Sequence, residues 1–110
     1  MLKRQKKEPI PASPMERAVS LIGNKWKLLI LQLLMSRQIP WHLTELKTSI
    51  VGIDQTVLKV TLQSMEKDGL ITSKTYRDLP PRIEFFLSEQ GESLRPVIEA
   101  MEAWGESYGR

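Results

Sequence analysis

The hydrophobic positions of the chain recur in patterns that separate helices from strands. Near the middle of the chain, Leu58, Leu62 and Met65 lie at helical spacing, which predicts a helix with one buried stripe. Asp54 is suited to the N-cap of this helix, and Gly69 to the stop after its last turn. The other face of this helix is the strongest candidate for a functional surface.

That other face is polar and carries no carboxylate. Its members share one side of a helix: Gln55, Thr56, Lys59, Val60 and Gln63. Glutamine and threonine hydrogen-bond base edges, lysine contacts phosphate or guanine, and an acid would repel the DNA backbone. Taken alone, the face also resembles that of any solvated helix, which is the simpler interpretation until the next stretch is considered.

Two strand-like stretches follow. Residues 71–77, ITSKTYR, and residues 83–88, IEFFLS, are rich in β-branched and aromatic side chains, which predicts a hairpin. Pro80 and Pro81 lie between them and predict a stiff tip, because proline is excluded from the interior of a sheet. The basic side chains of this hairpin are Lys74, Arg77 and Arg82. A helix followed by a basic hairpin predicts a winged helix-turn-helix, with the wing on phosphates or in a minor groove.

Two more helices are predicted in the first third of the chain. Ser13 and Glu16 have the spacing of a capping box, with Pro14 at the first helical position. This helix ends at Gly23, and Asn24 is suited to cap the next one. The second helix, KWKLLILQLLM, is apolar almost all round, so we expect it at the centre of the core.

A short helix and a turn precede the central helix. Residues 41–43 predict a short strand that pairs with the hairpin, and Thr44 is predicted to cap a helix over residues 45–50, ELKTSI. Gly52 lies in the turn after it, where a helix-turn-helix needs a tight bend. These elements complete the predicted helix-turn-helix.

The last stretch predicts a long amphipathic helix. Ser88 is suited to cap it, and Pro96 removes one backbone hydrogen bond, so we expect a bend there. A chain of 110 residues cannot easily bury the apolar stripes of both its first and its last helix. A homodimer is therefore predicted in preference to a monomer. The predicted interface residues are Met15, Val19, Leu94, Ile98, Met101, Trp104 and Tyr108.

Charge is unevenly distributed along the chain. The net charge is +3, and residues 1–13 account for all of it, because residues 14–110 hold equal numbers of basic and acidic side chains. Residues 1–12 are predicted to be a mobile basic arm, which could trail along DNA phosphates but is more simply interpreted as a solubilising tail. Attraction to DNA must then come from a local surface.

Composition disfavours several classes of function. The chain has no cysteine and one histidine, His42, so thiol chemistry and Cys-based zinc sites are excluded, and no cofactor is predicted. An enzyme needs convergent titratable groups, whereas the carboxylates here fall on apparent helix surfaces. No apolar run reaches membrane-spanning length, and the N-terminal stretch lacks the apolar region of a secretory signal. A cytoplasmic protein without a membrane partner is expected.

Three stretches resemble one known family. SPMERAVSLIGNKWKLLIL is similar to the opening motif of the HxlR family of bacterial and archaeal transcription regulators, and GIDQTVLKVTLQSMEKDGLI to its recognition helix and exit. YRDLPPRIEFFLSEQGESLRPVIEAMEAWG resembles the family's wing and C-terminal helix. The resemblance covers about residues 13–105, with the motifs in the family's order. Residues 13–110 are therefore treated as one domain of this type.

The resemblance implies a mainly α (α+β) fold, a winged helix-turn-helix that binds double-stranded DNA. It also implies a homodimer, formed by the terminal helices, on a roughly palindromic operator. Carried onto this sequence, it implies that the residues facing the major groove are Gln55, Thr56, Lys59 and Gln63. It assigns Arg77 and Arg82 to the wing and makes Lys25 and Lys27 candidates for phosphate contacts.

Ser13 departs from the family pattern. Many members have a cysteine at this position, and some sense oxidants or electrophiles through it; serine keeps the N-cap and removes the thiol. Any effector must then bind non-covalently or act elsewhere, and the sequence identifies none. Repression by occlusion of a promoter is favoured over activation. The alternative is a winged-helix protein-interaction module without specific DNA binding, which a carboxylate on the helix face would have favoured.

Overall fold

The computed structural model describes residues 13–108 and shows six helices and a small sheet in that range. The helices are α1 (Pro14–Ile22), α2 (Lys25–Met35), α3 (Leu43–Ser49), α4 (Gln55–Lys67), α5 (Glu89–Glu92) and α6 (Arg95–Tyr108). The strands are β1 (Trp41–His42), β2 (Ile71–Tyr76) and β3 (Arg82–Leu87). The predicted basic arm, residues 1–12, lies outside the described residues.

The first two helices begin where their caps predict. The Ser13 hydroxyl accepts a hydrogen bond from the Glu16 amide at 3.0 Å, and the Glu16 carboxylate accepts one from the Ser13 amide at 3.1 Å. The Asn24 side chain accepts from the Lys27 amide at 3.0 Å and starts α2. Both caps satisfy amides that a helix start leaves unpaired, so both predictions are confirmed.

Within residues 13–108 no single helix is long and apolar enough to cross a membrane. Only α1 and α2 taken together meet the criteria of length and composition, and these two helices are bent by 79° relative to each other.

The helix α2 lies at the centre of the core, as its sequence predicts. Ile30 and Leu31 are completely buried, and Leu34 is nearly so. They belong to one cluster of buried side chains that also includes the inner stripe of α4 and residues of α3 and the sheet. Burial contributes about 1.5–3 kcal/mol for each such side chain. This cluster therefore holds α4 and the hairpin in a fixed relation.

The three strands form an antiparallel sheet in the order β1-β3-β2. Trp41 pairs with Phe85, which confirms that the predicted short strand joins the hairpin. The hairpin ladder ends on the pair formed by Tyr76 and Arg82. Residues 77–81 therefore form the tip of the wing.

The helix-turn-helix consists of α3, a turn and α4. Gly52 in the turn has a φ of +85°, a left-handed conformation that glycine adopts without strain. Asp54 accepts hydrogen bonds from the amides of Thr56 and Val57 and caps α4, as predicted. With the hairpin that follows, these elements confirm the predicted winged helix-turn-helix fold.

The prediction for the start of α3 is wrong. Thr44 lies inside the helix, and His42 takes the cap position. The Glu45 carboxylate accepts hydrogen bonds from the His42 amide at 2.8 Å and from Arg37 at 2.7 Å. Because Arg37 comes from the loop before β1, this arrangement depends on tertiary contacts that local sequence does not reveal.

The C-terminal stretch forms two helices instead of the predicted single bent helix. Ser88 caps the first of them, as predicted, by accepting a hydrogen bond from the Gly91 amide at 2.9 Å. Pro96 lies in the first turn of α6, where a missing amide hydrogen costs little. Ile98 is only 4% exposed, and Leu94 packs against the core. Ile98 therefore has little surface left for a dimer contact, and Leu94 packs partly against its own chain; the predicted dimer face as a whole stays a prediction.

Candidate nucleic-acid interface

The polar face of α4 is exposed along the whole helix. The side chains of Gln55, Thr56, Lys59 and Gln63 are exposed, and none of them forms a hydrogen bond with another described residue. Their donors and acceptors are therefore available to base edges and phosphates. The carboxylate of Asp54, at the start of the helix, is held by two helix amides.

A groove runs between α4 and the hairpin. It has a volume of about 290 Å³, and polar side chains from both elements line it together with apolar ones. The polar members are Lys59, Gln63, Glu66, Ser73 and Thr75. Glu66 accepts a hydrogen bond from Ser73 at 2.9 Å, which joins α4 to β2. The polar face of α4 and the hairpin thus form one continuous surface.

Arg82 is bound to three neighbours at the base of the wing tip. Its guanidinium lies 3.9 Å from the centroid of the Tyr76 ring. Its Nε donates to Asp78 at 2.5 Å, and its Nη1 donates to Glu84 at 3.0 Å. Among residues 13–108 no acceptor contacts Nη2. The predicted wing cation is thus already paired with two carboxylates before any DNA is bound.

These contacts stabilise the charged forms of the groups involved. The hydrogen bond to Asp78, partly opposed by burial, raises the pKa of Arg82. Burial alone would raise the pKa of Glu84, but hydrogen bonds with Tyr76 and His42 and the attraction of Arg82 leave that pKa below its ordinary value. The negative charge of the Asp78 and Glu84 carboxylates together exceeds the positive charge of the Arg82 guanidinium. A phosphate that approaches Arg82 must therefore overcome local repulsion.

The other predicted wing cations are less constrained. The Nζ of Lys74 lies 5.1 Å from the centroid of the Tyr76 ring. Arg77 is exposed, and its side chain has no partner in the described part of the chain. The structure therefore brings the three predicted wing cations together on one hairpin, and among residues 13–108 Arg77 is the one of the three whose side chain has no partner.

Lys25 and Lys27 lie in the first turn of α2, on a separate element from α4 and the wing. Lys25 Nζ lies 4.6 Å from the centroid of the Trp26 ring, and Lys27 is half-buried. The first turn of α2 contains no acidic residue. Both lysines stay candidates for phosphate contacts outside the groove.

A polar network that the sequence does not reveal joins the helix-turn-helix to the wing. His42 Nε2 lies 3.2 Å from the Glu84 carboxylate, because the pairing of β1 with β3 aligns these residues. On the other side, the hydrogen bonds from the His42 amide and from Arg37 outweigh burial and lower the pKa of Glu45. Strand register is the signal that would have been needed to find this network. No group of three potential metal ligands occurs within residues 13–108.

Exposed apolar side chains also lie on α1 and on α6. Trp104 is 64% exposed, and its ring stacks on that of Tyr108 with the centroids 4.5 Å apart. A shallow groove on α6 is lined by Pro96, Val97, Ala100, Met101 and Trp104. Met15 and Val19 are exposed on α1. Five of the seven predicted interface residues are therefore exposed; of the other two, Ile98 is buried in the core and Leu94 is half-buried against it.

The sequence is similar to known regulators over most of its length. The model of the HxlR-like helix-turn-helix family matches residues 21–110. The chain is 41% identical over 88 residues to YkvN, an uncharacterized HTH-type transcriptional regulator of Bacillus subtilis (strain 168); the match covers 80% of this chain and 73% of YkvN. It is 39% identical over 94 residues to an uncharacterized HTH-type transcriptional regulator of Methanothermobacter thermautotrophicus (strain Delta H), with 86% of this chain and 70% of that protein covered.

The fold is similar to that of a solved regulator as well. The redox regulator HypR in its oxidized form matches with a TM-score of 0.80 and 30% sequence identity, over 86% of this chain and 96% of HypR. The family match spans α2, the helix-turn-helix, the wing and α6. The predicted resemblance is thereby confirmed: the chain belongs to the HxlR-like helix-turn-helix family and is a transcriptional regulator, not an enzyme.

Proposed function

We propose that this regulator binds a specific double-stranded DNA operator as a homodimer, with α4 of each subunit in the major groove. The observation that carries the proposal is the exposed polar face of α4, which holds Gln55, Thr56, Lys59 and Gln63 and has no carboxylate between Gln55 and Gln63. Such a face offers hydrogen bonds to base edges and does not repel phosphates. One groove separates α4 from the basic wing, and residues of both elements line it. The polar face of α4 and the wing can therefore contact the same duplex.

The dimensions of α4 suit insertion into the major groove. Its 13 residues span about 20 Å at about 1.5 Å per residue. The major groove is about 12 Å wide and admits an α-helix. Gln55 and Thr56 lie in the first turn, the part of a recognition helix that contacts base edges. In this arrangement Gln55 and Gln63 read bases, with adenine as the preferred partner, and Lys59 contacts a phosphate or guanine.

The wing supplies phosphate contacts beside the groove. Arg77 is exposed and unpaired among the described residues, and Lys74 is exposed on β2. Arg82 joins them by exchanging Asp78 for a phosphate, because an exposed ion pair contributes little to stability and a guanidinium can bind phosphate in bidentate fashion. Lys25 and Lys27 contact phosphates outside the groove. Each phosphate contact releases counterions, so affinity falls steeply with salt.

The apolar face of α1 and α6 forms the dimer interface in this proposal. Its exposed side chains are Met15, Val19, Val97, Met101, Trp104 and Tyr108. Exposed large apolar side chains grouped on a helix face mark interaction sites. A two-fold axis at this face pairs the terminal helices and holds two copies of α4 about 34 Å apart, one turn of DNA. The operator then consists of two similar half-sites in inverted orientation.

Repression in the cytoplasm is the proposed output. A dimer bound across a promoter denies the polymerase access to it. HypR is a redox regulator, but this chain contains no cysteine and cannot respond to oxidants through a thiol. An effector of this protein would have to bind non-covalently or act elsewhere.

Selection from a pool of randomised duplexes, followed by fluorescence anisotropy, tests the proposal. We expect an enriched inverted repeat that binds about a thousandfold or more tighter than a scrambled duplex. Its affinity should fall steeply as salt is raised. Equal weak binding to every duplex would contradict the proposal and support a winged-helix protein-interaction module instead.

A further inference from the structure

Val60 is an apolar side chain in the polar face of α4. It is 58% exposed, whereas the inner stripe of the same helix, Leu58, Leu62 and Met65, is buried. Val60 therefore contributes little to the core. Single exposed valines are common in proteins, so the neighbours of Val60 determine whether its exposure has a function.

Those neighbours are the residues proposed to read DNA. Thr56 precedes Val60 by four positions and Gln63 follows it by three, the spacings at which side chains meet on a helix surface. Val57, three positions before Val60, is 39% exposed and extends the apolar area. A small apolar spot is thus flanked by side chains whose hydrogen-bonding groups have no partner among the described residues and are free to bind base edges.

The major groove presents one apolar group, the C5 methyl of thymine. Valine offers no hydrogen bond, so a polar base edge buried against it would be left unpaired, which is unfavourable. Contact with a thymine methyl instead removes apolar surface from water on both sides. A valine in a helix also has one strongly preferred rotamer, so its methyl groups are already in place before DNA binds.

We infer that Val60 recognises the C5 methyl group of a thymine in each half-site of the operator. The inference rests on the proposed DNA-binding function and adds to it one base and the atom that is read. Loss of one such methyl contact should weaken binding about fourfold per half-site, from the usual value of burying one carbon.

Deoxyuridine substitution tests this contact, because uracil differs from thymine only by the missing C5 methyl. Each thymine of the selected operator is replaced in turn, symmetrically in both half-sites, and affinity is measured by anisotropy. The proteins compared are wild type, Val60→Ala and Val51→Ala. Val51 is a highly exposed valine in the turn before α4, outside its polar face, and provides the matched control.

We expect one thymine position at which deoxyuridine weakens wild-type binding by about tenfold or more for the two half-sites together. Val60→Ala should lose this sensitivity, and Val51→Ala should keep it. Circular dichroism should show unchanged helix content in Val60→Ala, because alanine favours helices and the position is exposed.

Two results would overturn the assignment while leaving the proposed function standing. One is deoxyuridine sensitivity that persists unchanged in Val60→Ala. The other is a duplex that wild type binds specifically but in which no thymine methyl affects affinity. If wild type prefers no sequence at all, the proposed function itself fails, and the inference fails with it.

Discussion

Arg82 and Tyr76 are paired across the end of the wing ladder, with the guanidinium 3.9 Å from the centroid of the ring. Stacking of this kind holds the planar guanidinium against the sheet. Asp78, in the tip, occupies the Nε donor that a phosphate could otherwise use. In the free protein, Tyr76 therefore positions the guanidinium of Arg82, and Asp78 competes with phosphate for its Nε donor.

Loss of the Arg82 charge should weaken binding to every duplex. We expect Arg82→Ala to reduce affinity for operator and scrambled DNA alike and to lower the slope of log affinity against log salt by about one, because one phosphate contact is lost. Asp78→Asn should have the opposite effect, with higher affinity and a steeper slope, because Arg82 no longer has to leave a carboxylate. Anisotropy titrations at several salt concentrations measure both. Unchanged slopes in both variants would remove the wing from the DNA interface.

Gln55 and Gln63 should determine sequence preference more than general affinity. We expect Gln55→Ala or Gln63→Ala to cost about 1–3 kcal/mol on the operator, because a base contact is lost. Binding to scrambled DNA should change little. Gln38→Ala, at an exposed glutamine outside α4, is the matched control. Equal losses on both duplexes would show that these glutamines do not read bases.

Trp104→Ala should shift the protein toward monomer. Truncation of a large aromatic anchor typically costs about 2 kcal/mol or more of association, which corresponds to an increase of about thirtyfold in the dimer dissociation constant. Ile39 is 65% exposed, close to the 64% of Trp104, but lies in the loop between α2 and β1. Ile39→Ala should leave association unchanged in sedimentation experiments. A dimer of undiminished strength in Trp104→Ala would rule out the proposed interface.

Gly91 should tolerate no side chain. A Cβ at this position would lie 2.0 Å from the Leu70 carbonyl oxygen, so Gly91→Ala must displace α5 or the adjoining strand. We expect the free energy of unfolding in urea to fall by about 1–3 kcal/mol or more. A Cβ on Gly105, in α6, would meet no described atom within 4 Å, so Gly105→Ala should gain about 0.5–1 kcal/mol from helix propensity. Similar effects of the two substitutions would contradict this account of the α5 contact.

Glu45 should make folding stability depend on pH under acid conditions. Hydrogen bonds from the His42 amide and from Arg37 hold the pKa of Glu45 below its ordinary value of 4.5. Its contribution to stability is therefore complete above that value and is lost as the pH falls through the folded-state pKa. Glu45→Gln keeps an acceptor for the His42 amide but carries no charge.

The stability difference between wild type and Glu45→Gln should therefore shrink from about pH 7 to about pH 3. Urea denaturation at both values measures it. Glu106→Gln, at an exposed carboxylate near the end of α6, serves as the control for loss of one negative charge. If the stability difference between wild type and Glu45→Gln did not vary with pH, the ion pair between Glu45 and Arg37 would not stabilise the fold.

Local sequence signals were sufficient where the contacts themselves are local. The caps at Ser13, Asn24 and Asp54 bind amides within three positions, so no distant residue is needed to set these helix starts. The turn was predicted from the glycine at position 52, and Gly52 has the left-handed backbone that glycine adopts without strain. The two faces of α4 follow from helical periodicity alone, and the exposure of each face agrees with it.

Contacts between distant residues decided the rest. Ile98 and Trp104 belong to the same apolar pattern, and only the packing of α6 on α2, with Gln32 bonded to Glu102, buries the first and exposes the second. Strand register placed His42 beside the Glu84 carboxylate and the Tyr76 ring beside the guanidinium of Arg82. The sequence by itself determined the helices, the hairpin and the chemical character of each face. The tertiary structure decided which apolar residues are buried and which polar side chains meet between elements, because both depend on residues that are far apart along the chain.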